Sequence, residues 1–126
     1  MHIPDGLYYS KTHEWAKRQG NEVIVGITDH AQSELSDVVF IELPKVGRSV
    51  KMEEACAVVE SVKAAFDIYA PVSGKVIRVN LALEKDPALV NKDPYGEGWF
   101  FVLEPSDPKE VSKLLDKPSY EQFLKT

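Results

Sequence analysis

Apolar residues along this chain come in short runs separated by clusters of Gly, Pro, Asn, Asp and Ser, a pattern that predicts many short strands rather than long helices. Thr12–Ala16 and Glu22–Ile27 read as the first two strands, with Arg18-Gln19-Gly20-Asn21 as the turn between them. Val38–Leu43, closed by Pro44, is the strongest strand, and Lys45-Val46-Gly47 turns the chain into Ser49–Lys51. Ala55–Val59 is an apolar run ended by Glu60, and Ile68–Val72 is another. Ser61–Asp67 therefore reads as a hairpin connection, within a hairpin spanning 55–72, and Lys63 lies near its tip. Pro71–Gly74 makes a turn, Lys75–Asn80 alternates its faces, and Trp99–Glu104 is the last strand, stopped by Pro105. Leu83–Asn91 fits one weak helical turn or a loop. Tyr95-Gly96-Glu97-Gly98 lacks a following Lys-Ser/Thr and a helix behind it, so it reads as a turn and not as a phosphate cradle.

Helical patterning is confined to a few places. Thr28 is placed to cap a helix over Asp29–Leu35, in which Asp29 complements the positive end and Ala31 and Leu35 share the core face. Asp107 as N-cap, Pro108 at N1 and Glu110 at N3 open a helix with the stripe Val111, Leu114 and Leu115 that ends near Pro118. Ser119 and Gln122 have capping-box spacing for a second helix burying Tyr120, Phe123 and Leu124, which makes a helical extension over about 107–126. The sum is an all-β core with helical trimmings.

Composition narrows the function classes. A chain of 126 residues with 44% hydrophobic content suits one domain, burying roughly two-thirds of its unfolded surface. With 15 Lys and Arg against 20 Asp and Glu, the net charge of −5 argues against nucleic acid or an anionic membrane as partner and is compatible with a basic protein surface. Cys56 is the only cysteine, so there is no internal disulfide framework, and its setting in Ala55-Cys56-Ala57-Val58-Val59 reads as a small buried hydrophobe. The opening Met-His-Ile-Pro-Asp-Gly resembles no secretory or transit segment, which predicts a bacterial cytoplasmic protein, or a mitochondrial matrix one if it is a processed organellar form. A monomer is expected.

A lysine on a tight turn presents a primary amine on a flexible stem, the group needed to hold a carboxylic-acid cofactor in amide linkage. The surrounding residues, Glu60-Ser61-Val62-Lys63-Ala64 with Gly47 before and Gly74 after, closely resemble the lipoyl attachment site of the glycine cleavage system H protein family. The resemblance continues through His13-Glu14-Trp15, Val25-Gly26-Ile27-Thr28-Asp29-His30-Ala31-Gln32, Val39-Phe40-Ile41-Glu42-Leu43-Pro44, Tyr69-Ala70-Pro71-Val72-Ser73-Gly74 and Asn91-Lys92-Asp93-Pro94-Tyr95-Gly96-Glu97-Gly98-Trp99, nearly the whole chain in the family's order. It implies the lipoyl-domain barrel-sandwich hybrid of two antiparallel sheets, with a C-terminal extension that simple lipoyl domains lack.

The resemblance also implies lipoic acid on Lys63 and a non-catalytic carrier serving glycine decarboxylase, aminomethyltransferase and dihydrolipoamide dehydrogenase, modified by a lipoyl-attaching ligase or transferase. It places Thr12 and Glu14 near the parked arm, and assigns Glu14 and Asp67, with Thr12 as a polar neighbour, to keeping the loaded arm's amine protonated. His30 lies close to the same cleft. Two positions depart from the family: Ser36 stands where a helix-ending glycine is usual, and Glu34 where several relatives have histidine. If position 36 needs positive φ, serine there costs on the order of 1 kcal/mol.

Other chemistry finds little support in the sequence. His2, His13 and His30 show no metal-ligand spacing, and no Ser-His-Asp order, Cys-His pair or nucleophile elbow is present. Glu60 and Asp67 are either solvated turn residues or handles by which a ligase selects Lys63. A biotinyl domain would be expected to carry methionine on both sides of the lysine, where Val62 and Ala64 stand. A lipoyl relay for other complexes, or an unmodified interaction module on this fold, are the remaining alternatives.

Overall fold

Alternation decides the first hairpin: Val23, Val25 and Ile27 are buried while Glu22 and Ile24 are half-exposed. The computed structural model describes residues 1–126 and pairs strand β2 (Glu14–Gln19) with β3 (Glu22–Ile27), in register from Glu14 opposite Ile27 to Gln19 opposite Glu22. Only Gly20 and Asn21 remain in the turn, so the strands run further into the expected turn than the residue types suggested. At the other end β2 starts at Glu14 and not at Thr12. His13 takes φ 70, and its N–H bonds the Ser10 carbonyl at 3.1 Å, so residues 11–13 form a tight turn instead of strand. That turn returns from β1 (Tyr8–Tyr9), a two-residue strand too short to show a period and missed in the sequence.

The remaining strands are β4 (Val38–Glu42), β5 (Ser49–Val50), β6 (Ala55–Ser61), β7 (Ala65–Tyr69), β8 (Gly74–Val79) and β9 (Phe101–Pro105). They form a six-stranded sheet, ordered β1-β2-β3-β9-β8-β5, and a three-stranded sheet, β4-β6-β7, every pairing antiparallel. This is the expected two-sheet, mainly β lipoyl-domain architecture. Val25, Ile27, Val59, Ile68, Val72, Val76, Phe101 and Leu103 belong to one core cluster of 21 buried residues. Glycine is needed on both sides of the β6–β7 hairpin region: Gly47 turns with φ 96, and a Cβ at Gly74 would lie 2.4 Å from the Glu104 carbonyl oxygen across the β8–β9 pair. No helix is long and apolar enough to cross a membrane.

Helix α1 (Asp29–Leu35) begins where its cap predicts, with Thr28 Oγ1 accepting from Ala31 N at 3.2 Å, and it buries Leu35. The 82–92 region holds two short helical turns, α2 (Ala82–Lys85) and α3 (Leu89–Lys92), split by Pro87. The C-terminal extension differs from expectation. Residues Pro108–Lys113 form a 3-10 helix, capped by Asp107 bonding Lys109 N, and Leu115 then bridges Tyr9 as an isolated strand pair. Pro118 starts the next helix rather than ending the previous one: α4 (Lys117–Leu124) is capped by Asp116, whose carboxylate accepts from Ser119 N at 3.0 Å. Asp116 outcompetes Ser119 because proline belongs in a helix's first turn, where its missing N–H costs nothing. A second cluster, Tyr9, Trp15 and Tyr120, packs α4 onto the larger sheet, and the Tyr9 and Tyr120 rings stack at 4.7 Å.

At the end of α1, Ser36 has φ 64 and ψ −147, a region that belongs almost solely to glycine. Asn91 holds the strained residue in place. Its Nδ2 donates to the Ser36 carbonyl at 2.7 Å and to Gln32 Oε1 at 3.1 Å, while its Oδ1 accepts from Val38 N at 2.9 Å. We therefore expect Ser36→Gly to raise unfolding stability by about 1 kcal/mol in denaturant titration, and Asn91→Ala to lower it by about 2 kcal/mol because two backbone groups lose their partner.

Candidate functional site

The hairpin of β6 and β7 closes over Val62-Lys63-Ala64, a tighter tip than the Ser61–Asp67 connection read from the sequence. Ala65, Phe66 and Asp67 are strand, opposite Glu60, Val59 and Val58. At the other root β7 stops at Tyr69. Ser61 builds the tip. Its buried hydroxyl accepts from Lys63 N at 3.1 Å and Ala64 N at 3.3 Å, its own N–H bonds the Ala64 carbonyl at 2.9 Å, and Val62 N reaches the Asp37 carbonyl at 3.0 Å. The Lys63 backbone is thus pinned while its side chain is exposed and takes part in none of the chain's ion pairs.

Cross-strand register sorts the neighbours. Ile41, Val59 and Phe66 form one row on the inner face of the smaller sheet, and Phe40, Glu60 and Ala65 form the adjacent row on its outer face. Glu42, Val58 and Asp67 continue the outer face, so the Asp67 side chain shares a face with Glu42 and only borders the inner side at the strand edge.

On the inner side a cleft of about 340 Å³ lies between the β7 edge, helix α1 and the 11–13 turn. Ile27, Leu35, Val59, Phe66 and Ile68 give it an apolar lining, and Thr12, His13, His30, Glu34 and Asp67 supply its polar groups. Of the residues singled out in the sequence, Thr12, His30, Glu34 and Asp67 meet here. Glu14 does not: it opens on a neighbouring cavity of about 540 Å³, with Thr12 bordering both. Glu60, Val62 and Ala64 stay with Lys63 at the tip.

Glu14 is 1% exposed, the deepest charged side chain in the protein. Both carboxylate oxygens are occupied, one by the hydroxyls of Ser10 and Thr12 and the other by Tyr69 N at 3.1 Å. Burial pushes its pKa above the ordinary 4.5, opposed by those hydrogen bonds. This carboxylate is not on a solvent face, as a strand reading of Thr12–Ala16 would make it. Cys56 behaves as the sequence suggested: it is buried, and burial raises its thiol pKa to about 12, leaving it protonated at neutral pH.

His13 is a cleft residue that the sequence reading missed, and the buried Tyr120 bonds it from behind. His13 Nδ1 lies 2.8 Å from the Tyr120 hydroxyl, its ring centroid is 4.6 Å from that of His30, and His30 Nε2 is 3.5 Å from Glu34 Oε1. No linear spacing announces such a group, because positions 13, 30 and 120 meet only through the turn, α1 and α4. No group of three or more His, Cys, Asp or Glu is arranged to hold a metal ion.

An exposed, unpaired lysine on a clamped hairpin of a two-sheet β fold, beside a small and largely apolar cleft, is the arrangement of a cofactor-carrier domain of the lipoyl type. Comparison with known proteins gives the family. The profile of the Glycine cleavage H-protein family matches residues 7–126. A glycine cleavage system H protein from Thermus thermophilus is 59% identical over 126 residues, covering 100% of this chain and 98% of its own, and one from Symbiobacterium thermophilum is 55% identical over 123 residues, covering 98% and 96%. The crystal structure of a glycine cleavage system H protein from Mycobacterium marinum superposes with a TM-score of 0.90 at 38% identity, over 98% of this chain and 100% of that one. The chain belongs to the glycine cleavage H-protein family, the non-catalytic lipoyl carriers of the glycine cleavage system.

The buried carboxylate sets a pH dependence. Because the folded-state pKa of Glu14 is raised above 4.5, the unfolded chain releases this proton first. Stability from protonated Glu14 is full below pH 4.5 and is lost as the pH rises through the folded-state value. Glu14→Gln keeps hydrogen-bonding partners for Tyr69 N and the two hydroxyls but cannot ionise. Chemical denaturation across this window should therefore show wild type losing stability with rising pH relative to Glu14→Gln; parallel curves would contradict the assignment.

Proposed function

We propose that Lys63 carries lipoic acid in amide linkage, and that the arm serves glycine decarboxylase, aminomethyltransferase and dihydrolipoamide dehydrogenase in turn. The observation that carries this is the tip itself: a backbone clamped by Ser61 under an exposed lysine with no ion partner, within a family of lipoyl carriers. When bound, lipoic acid supplies a dithiolane that takes up the aminomethyl group of glycine, surrenders it to tetrahydrofolate chemistry and is reoxidised by a flavoenzyme. The chain's residues fit that cargo. The cleft that begins at Phe66, on the same hairpin, is apolar and of the size of a dithiolane with part of its methylene stem.

Within this reading, Glu14 acts through Thr12. By accepting the Thr12 hydroxyl proton it leaves that oxygen's lone pairs directed outward, an acceptor for the ammonium of the loaded arm, and Asp67 and Glu34 add negative charge around the cleft. His30 lines the wall. For the lipoyl-attaching ligase or transferase, Glu60, Val62 and Ala64 mark Lys63 apart from other lysines. Partner enzymes would dock on the same outer face, where Phe40 is 51% and Val62 66% exposed beside Glu42 and Glu60, a surface suited to an apolar patch with a basic rim. A cytoplasmic setting, where those enzymes and a reducing pool are found, goes with this role.

Intact-mass measurement of protein from a lipoate-competent host should show one lipoyl addition, localised to Lys63 by peptide mapping. Lys63→Arg should fold normally, stay unmodified and support no aminomethyl transfer. No mass addition to wild type would favour an unmodified interaction module, a biotin-sized addition would point to the other carrier class, and a lipoylated protein inactive with the glycine enzymes would leave a relay for other complexes.

A further inference from the structure

Tyr120 comes from the last helix of the chain, yet its hydroxyl is in contact with the cleft wall. It lies 2.8 Å from both His13 Nδ1 and Thr28 Oγ1, and all three groups are buried or half-buried. Thr28 Oγ1 already accepts from Ala31 N as the cap of α1. This fixes the direction of the protons. If the Thr28 hydroxyl donates to Tyr120, then Tyr120 donates to His13 Nδ1 and every proton has an acceptor. If His13 Nδ1 instead carries a proton and donates to Tyr120, then Tyr120 must donate to Thr28. The Thr28 proton is then left without a partner at a residue that is 0% exposed.

We propose that Tyr120 is a positioning residue whose hydroxyl, oriented by Thr28, holds His13 as the neutral imidazole with its proton on Nε2, so that the cleft offers its occupant a fixed hydrogen-bond donor. Nε2 has no protein partner, and His13 lines the cleft. The chemistry selected is an uncharged acceptor, and, on the reading of this cleft as the parking place of the lipoyl arm, that acceptor is an arm sulfur. The groups around His13 support a division of labour. From α1 it faces His30 and, behind it, Glu34; from α4 it faces Tyr120 and the ring of Phe123, at 5.9 Å. Burial, and then His30, lower the His13 pKa, whereas His30 sits against the Glu34 carboxylate. His13 is thereby held in its neutral form.

The test uses the full chain, uniformly labelled with 15N, first without the arm. Long-range 1H–15N spectra above the histidine titration range should show His13 with a protonated Nε2 and a bare Nδ1, and on acidification His13 should stay neutral to a lower pH than an exposed imidazole. Tyr120→Phe keeps the ring stacked on Tyr9 but removes the hydroxyl, and should give a mixture of tautomers with a raised His13 midpoint. Thr28→Ala is the second variant. It leaves Tyr120 and the Thr28 N–H bond to the His13 carbonyl in place, yet it should relax the tautomer as well, and Thr28→Ser, which restores the hydroxyl, should restore the wild-type tautomer. A protonated Nδ1 in wild type, or an unchanged tautomer in folded Thr28→Ala, overturns the proposal. In lipoylated wild type, with mass confirming full modification, the His13 Nε2–H should exchange with solvent more slowly and shift, and both effects should shrink in Tyr120→Phe. Unchanged His13 resonances on full modification overturn the link to the arm, whereas a protein that accepts no lipoate fails the carrier reading and leaves the tautomer result standing.

Discussion

A small sheet is stable in water only when a hydrophobic face is buried, and the β4-β6-β7 sheet buries one of its faces against the larger sheet. The row Ile41, Val59 and Phe66 shows the constraint. Ile41 and Val59 are 3% and 0% exposed, and Phe66, next along the same row, emerges to 45% at the lip of the cleft. A one-residue slip would put Glu60 and Phe40 inside and Val59 outside. Burial of this row therefore fixes the register, the register fixes which residues reach the tip, and the tip fixes where Lys63 points. The core and the site share the same cross-strand rows.

Around that core, polar groups are buried only where they organise a turn. Glu14 ties the 10–12 turn to β7 through Ser10, Thr12 and Tyr69, so one carboxylate couples the second strand of the lysine hairpin to the N-terminal turn. Asn91 couples α1 to β4 in the same way, and Tyr120 couples α4 to α1. Every buried side-chain polar atom has a partner. A cleft whose walls come from β7, α1 and the 11–13 turn needs such cross-links. Apolar contacts alone would leave these elements free to slide, and hydrogen bonds have directions that packing lacks.

The sequence made the local features legible. The presence of the hairpins, the Thr28 cap and the buried cysteine follow from neighbouring residues, and the lysine proposed to carry the arm stands out because a whole motif surrounds it. Long-range assembly was less legible. The β1 strand is set by its partner β2, and the start of α4 was decided by competition between two good caps, Asp116 and Ser119, which Pro118 resolved in favour of the earlier one. Glu14 was picked out in the sequence by resemblance, but its burial depends on the φ 70 turn at His13 and on contact with Tyr69, fifty-five residues away. His13 was hidden for the same reason, since its partners come from α1 and from the far end of the chain.

The pinned tip resolves two opposed demands on a carrier. A swinging arm needs a long, freely rotating stem, while the enzymes that modify and use it need to find it in one place. A lysine in a floppy loop would lose backbone entropy, on the order of 1–2 kcal/mol per residue ordered, each time a partner bound it. Here Ser61 and the Asp37 carbonyl have already ordered residues 62–64 during folding, so that cost is borne once and repeated docking events do not incur it again. The stem beyond Cβ keeps its freedom because no carboxylate or aromatic ring holds it. Rigid backbone and mobile side chain thus meet at a single residue, and the boundary between them is the point where the Ser61 hydroxyl stops reaching.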